Sequence, residues 1–150
     1  MSRLSGHGIS IELPHRWSGR VFRREQGGAT LHAGDFQLAL GDGEFGDAST
    51  GSMPAGASFI ALTEYLPGAG LAPGRGLFAA RGMPTRLEPS AFSPARLAHP
   101  RRGQVGTQHF FTVAGRPFCL YVVLAGPRAQ RRRQLAALEH VLRAVRIAPR

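Results

Sequence analysis

Apolar side chains at Ile9, Ile11 and Leu13 alternate with Ser10 and Glu12, the period of a strand with one buried face. Pro14 closes that strand because its ring removes a ladder donor. Val21 and Phe22, set between Arg20 and the Arg23-Arg24 pair, predict a short second strand paired back on the first, with Gly27-Gly28 ending the hairpin. Residues 29–33, and then Phe36, Leu38 and Leu40 alternating with Asp35, Gln37 and Ala39, predict one or two more strands with one wet face.

Residues 41–56 are too rich in Gly, Asp, Ser and Pro to form an element and read as a long loop. Residues 58–66 are apolar on both alternations, as a central strand covered on both faces should be. A second Gly/Pro-rich loop follows at residues 67–76, then a short strand at 77–80. Ser93-Pro94 supplies an N-cap and a proline for the first position of a brief helix, which Pro100 stops.

Residues 105–113, a turn at Ala114-Gly115-Arg116, and residues 117–125 predict a hairpin whose second arm is apolar on both faces and belongs in the middle of the sheet. After Gly126-Pro127, a helical stripe of Leu135, Leu138, Val141, Leu142 and Val145 leaves Arg132, Glu139, Arg143 and Arg146 off it. The pattern therefore predicts a single α+β domain over residues 1–150. Its core is a mostly antiparallel twisted sheet with a C-terminal helix packed on one face, joined by Gly/Pro-rich loops.

The opening phrase Gly8-Ile-Ser-Ile-Glu-Leu-Pro-His-Arg-Trp17, the closing hairpin and helix, and Arg143-Ala-Val-Arg-Ile147 together resemble proteins of the PsbP/Mog1-like α/β/α sandwich group. Members typically begin with a strand ending in Pro-x-x-Trp and finish with a hairpin, a helix and a short terminal strand ending in Arg-Ile. The likeness covers the two chain ends and not residues 41–105. The resemblance implies a sandwich scaffold used by accessory and binding proteins, without a shared active site, so it carries no reaction with it.

Charge is segregated along the chain. Residues 35–66 hold Asp35, Asp42, Glu44, Asp47 and Glu64 with no Arg or Lys, whereas residues 67–150 hold fourteen Arg against Glu88 and Glu139. All nineteen basic residues are Arg, which suits either the flat guanidinium fork that grips phosphate and carboxylate or a genome rich in Arg, Gly, Ala and Pro codons. Either way the net charge of +10 creates a field favourable to anions. Three basic clusters carry it: Arg16/Arg20/Arg23/Arg24, Arg96/Arg101/Arg102 and Arg128/Arg131/Arg132/Arg133. Within them Arg20, Arg23, Arg24, Arg101, Arg102, Arg131, Arg132 and Arg133 are the candidate anion-binding residues, able to neutralise several phosphates if one face gathers them.

Other chemistry is thinly represented. Asp42, Glu44 and Asp47 on a glycine loop could offer oxygens to Ca²⁺, but the EF-hand spacing is missing and a solvated acidic loop is the simpler reading. The six His show no short metal-ligand spacing, and one cysteine builds no familiar zinc site. Gly70-Leu-Ala-Pro-Gly-Arg-Gly76 lacks the Gly-Lys-[Ser/Thr] of a phosphate loop, and no serine sits in a Gly-x-Ser-x-Gly elbow. Cys119 is the single candidate nucleophile, embedded in a Phe-Cys-Leu-Tyr-Val-Val run where a buried inert thiol is the ordinary outcome.

With one cysteine and no apolar stretch of signal-peptide or membrane-span length, a reducing cytoplasm is expected, with no cofactor and no metal. The reading taken forward is a non-enzymatic binding or accessory module that contacts another protein. Its rival is an anion or nucleic-acid binder using the arginine clusters, and a third reading is a Cys-dependent enzyme.

Overall fold

The computed structural model describes residues 1–66, 68 and 71–150. Its strands are β1 (Ser2–Gly6), β2 (Ile9–Leu13), β3 (Ser18–Arg23), β4 (Ala29–Gly34), β5 (Ser58–Glu64), β6 (Gln104–Val113), β7 (Arg116–Ala125) and β8 (Arg146–Ile147). Its α-helices are α1 (Asp47–Gly51) and α2 (Arg131–Arg143), with short 3-10 turns between elements. The strands form two sheets, ordered β1-β2-β8 and β3-β4-β5-β7-β6, and every pairing within them is antiparallel. The protein is α+β.

In the larger sheet β5 and β7 are central and wholly buried, because their side chains are apolar on both alternations. One alternation, here the first face, carries Leu31, Ile60, Leu62, Leu120 and Val122. It packs against Ile9, Ile11 and Leu13 of the small sheet and against the Leu135, Leu138, Val141 and Leu142 stripe of α2. Each such fully buried aliphatic side chain contributes about 1.5–3 kcal/mol. Gln134 anchors α2 by donating to the carbonyls of Ala57 and Ala125 at 3.1 and 2.9 Å. The second face carries Phe59, Ala61, Tyr121 and Val123, covered by Phe36, Leu38, Phe45, Met53 and Leu97 from the connecting segments.

Several sequence expectations are corrected. β1 precedes the strand at residues 9–13 and pairs with it from Ser2↔Leu13 to Gly6↔Ile9. β3 does not return on β2: the Trp17 amide bonds back to the Pro14 carbonyl, Arg16 takes a φ of 75°, and the chain leaves the small sheet for the large one. Gly27-Gly28 therefore closes the β3–β4 hairpin.

Residues 35–40 form no strand. Phe36 and Leu38 are apolar because they pack on the second face, and Leu40 is 92% exposed. The long loop contains the one-turn α1, and residues 77–80 hold a 3-10 turn at Gly76–Phe78 in place of a strand. The brief helix after Ser93 is likewise a single 3-10 turn, Pro94–Arg96. The loop expected at residues 67–76 lies partly outside the described residues, at 67, 69 and 70.

Candidate functional site

Two places in this fold combine exposure with unspent bonding capacity. The first lies at one end of the first face, where Arg23, Glu64 and Arg116 project from β3, β5 and the start of β7. The His7-Gly8 turn of the small sheet and the last residues of the chain meet them there. The Arg116 side chain is 4% exposed and grips the 3%-exposed Glu64 bidentately, Nε to Oε2 at 2.8 Å and Nη2 to Oε1 at 3.1 Å. Its remaining donors reach the carbonyls of Ala148 and His7 at 2.9 and 2.8 Å. The Ala29 amide and Arg150, whose Nη2 lies 2.6 Å from Oε2, also serve Glu64.

Burial alone would raise the Glu64 pKa. Hydrogen bonds from Arg116, Arg150 and the Ala29 amide, with the Arg116 charge, outweigh it and hold the carboxyl at about 2. Beside this pair is a cavity of about 400 Å³ lined in part by Arg23, Arg116 and Arg150. Glycine forms its walls of necessity. A Cβ on Gly8, whose φ is +81°, would stand 2.3 Å from Arg116 Nη1, and one on Gly28 would stand 2.6 Å from the Glu64 carbonyl oxygen.

The second place is the outer edge of β6. The chain clamps this edge twice, through Ser93 paired with Gly106 and through Ala80 and Gly82 bonded to Thr112. Those bonds show that even-numbered residues of β6 turn their backbone groups outward, so Gln108 and Phe110 do so as well. Among the described residues nothing bonds to their amides or carbonyls. A cavity of about 550 Å³ opens there, rimmed by Leu77 (56% exposed), Met83, Pro84 and Phe110, with Arg81 beside it.

The structure distributes the candidate arginines over several places. Arg23 lines the first cavity. Arg24 is engaged with Glu44 at 3.3 Å and with the Glu64 carbonyl at 2.6 Å, and Arg20 lies 4.4 Å over the Phe22 ring with its Nη1 buried and without a hydrogen-bond partner among the described residues. Arg101 binds Asp47 at 2.5 Å and donates to Thr50 Oγ1 at 2.8 Å. Arg102, Arg132 and Arg133 are exposed, Arg133 lining a cavity with Arg16 and Asp35, while Arg131 has a buried Nε with no hydrogen-bond partner among the described residues. The sequence reading missed Arg116 and Arg150. Their signal was indirect: Glu64 is an ionisable residue at the end of a strand otherwise buried on both faces, which requires a buried partner.

Charge segregation along the chain becomes pairing in space. Glu44, Asp47 and Glu64, all from the acidic stretch, meet Arg24, Arg101, Arg116 and Arg150 from outside it. Asp42 is likewise occupied, accepting from the Ala48 and Ser49 amides at 2.8 and 2.9 Å and from the Ser49 hydroxyl. The three loop carboxylates thus serve three different partners, and among the described residues no group of three metal-ligating side chains occurs. Cys119 is fully buried, and burial followed by the nearby Glu44 charge pushes its thiol up to about 12, leaving it protonated and unreactive at neutral pH. No described helix is long and apolar enough to cross a membrane. No family model, curated protein or solved structure matches the chain.

Proposed function

We propose that the protein is a non-catalytic binding module that takes an extended segment of a partner protein onto the outer edge of β6. The observation that carries this reading is the stretch from Gln108 to Phe110, whose outward amides and carbonyls have no partner among the described residues and are bracketed by two clamps. An added strand would satisfy those groups, and the Leu77, Met83 and Pro84 rim would receive its apolar side chains. Arg81 and Arg96, exposed and without an ion pair among the described residues, favour acidic residues flanking that apolar stretch. The buried, protonated Cys119 weighs against the thiol-enzyme reading. Kinship with the PsbP/Mog1-like group belongs to the same proposal, resting on the residues at the two chain ends.

Peptides selected from a displayed library test it. Enriched sequences should be short, apolar and acid-flanked, and binding should slow hydrogen exchange at the Gln108 and Phe110 amides while leaving Thr107 and His109, already bonded to β7, unchanged. Gln108→Pro removes one outward donor without costing a β7 bond and should weaken binding about tenfold or more. Selected peptides that bind this variant as tightly as the wild type would overturn the proposal.

A further inference from the structure

The geometry points to a second, separate binding site, and we propose that the Arg23/Arg116/Arg150 cavity takes a small molecule bearing a doubly charged anionic group, a phosphate or a pair of carboxylates. This inference does not depend on the docking role of the β6 edge. Glu64 and Arg116 neutralise one another through their bidentate contact. Arg150 is a second guanidinium on the same Oε2, and Arg23 lines the cavity with no acidic partner among the described residues. The lining therefore carries more positive than negative charge, and counting an α-carboxylate on Arg150 does not reverse the sign.

The shape directs that excess outward. Arg116 is fixed from behind by the His7 and Ala148 carbonyls, and Gly8 and Gly28 bring the backbone walls close against the ion pair. Glu64 directs its oxygens at protein donors: Arg116, Arg150 and the Ala29 amide already serve them. The half-exposed Arg150 and the exposed Arg23 stand at the mouth, where a planar fork meets an incoming phosphate or carboxylate edge-on. On binding, Arg150 exchanges part of its bond to an already matched carboxylate for one to an unmatched anion. No covalent step is involved.

The test is titration of the full chain by calorimetry and thermal unfolding with sodium phosphate, sodium succinate and sodium acetate, each against sodium chloride at equal ionic strength. Saturable binding of phosphate, of succinate or of both, tighter than that of acetate, supports the site, and the preferred anion identifies which chemistry it is shaped for. Arg23→Gln, which breaks no side-chain hydrogen bond or ion pair among the described residues, and Arg150→Gln should each weaken that binding about tenfold, while Arg133→Gln on α2 should leave it within about twofold. Stabilisation no greater than with chloride, acetate binding as tightly as the divalent anions, or an unchanged affinity in Arg23→Gln would each overturn the proposal.

Discussion

The two faces of the large sheet are closed by different physics. On the first, α2 and the small sheet bury a continuous apolar layer that ends in the Glu64–Arg116 pair. On the second, residues 35–57 lie over a floor that includes Thr30, His32 and Thr63, held by directional bonds as much as by contact. The Glu44 carbonyl lies 3.3 Å from His32 Nε2 and accepts from Thr63 at 3.2 Å, Ser49 Oγ accepts the Ala39 amide at 2.9 Å, and the Asp42 carboxylate caps α1. Such bonds contribute about 0.5–1.5 kcal/mol each, against 1.5–3 for a buried aliphatic side chain. The second cover should therefore open locally well below the free energy of global unfolding, and the first should not.

The severest challenge to this contrast is Arg116→Met. It leaves the Glu64 carboxylate buried with the half-exposed Arg150 as its one remaining ion-pair partner among the described residues and the Ala29 amide as a neutral donor, so global stability should fall by about 3–5 kcal/mol in denaturant unfolding. A loss below about 1 kcal/mol would show that the ion pair does not close the first face.

Next in size is the acid response. Glu64 titrates at about 2 when folded against 4.5 when unfolded, so the unfolded chain binds the extra proton between those values. The contribution is complete above pH 4.5 and is lost as pH falls toward 2, amounting to about 3 kcal/mol. Denaturant midpoints measured across that range should decline with acidification in the wild type and decline less in Glu64→Gln. Parallel profiles would remove Glu64 as the source.

On the second face the expected effects are smaller and local. Asp42→Ala deletes the acceptor of the Ala48 and Ser49 amides and should cost about 1–2 kcal/mol, the range of a lost helix cap. Hydrogen exchange should accelerate in residues 42–53 while β5 and β7 keep their protection. Equal acceleration throughout the protein would mean that the two covers unfold as one unit.

The same contrast explains what was legible in the sequence. β5, β7 and the α2 stripe announce themselves because burial of a regular element imposes a period on its residues, as at Phe59 to Leu62 and Leu135 to Leu142. The second cover has no period to read: Phe36 and Leu38 alternate like a strand although among the described residues no ladder partner reaches them, and α1 depends on Asp42 reaching across a glycine loop. β1 was hidden by its mostly polar, mostly exposed side chains, since it is an edge strand. For the cavity, Arg23 stood among the candidates, but its companions Arg116 and Arg150 are separated from it by most of the chain. Only the antiparallel register brings Arg116 to Glu64.

The smallest effect separates the two kinds of ion pair most sharply. Arg101 and Asp47 lie 2.5 Å apart, closer than Arg116 and Glu64 at 2.8 Å, yet the Asp47 side chain is 62% exposed. Water and salt screen that pair, so distance does not rank the two interactions; desolvation does. Arg101→Ala should accordingly lower the denaturant midpoint only slightly, and part of that is the lost donor to Thr50 Oγ1, which ties Arg101 to α1. The charge component should fade as salt is raised, so that at about 1 M sodium chloride the difference in denaturant midpoint shrinks to the part carried by the Thr50 bond. A loss of several kcal/mol that persists in high salt would make residues 35–57 part of the global core and dissolve the distinction between the two faces.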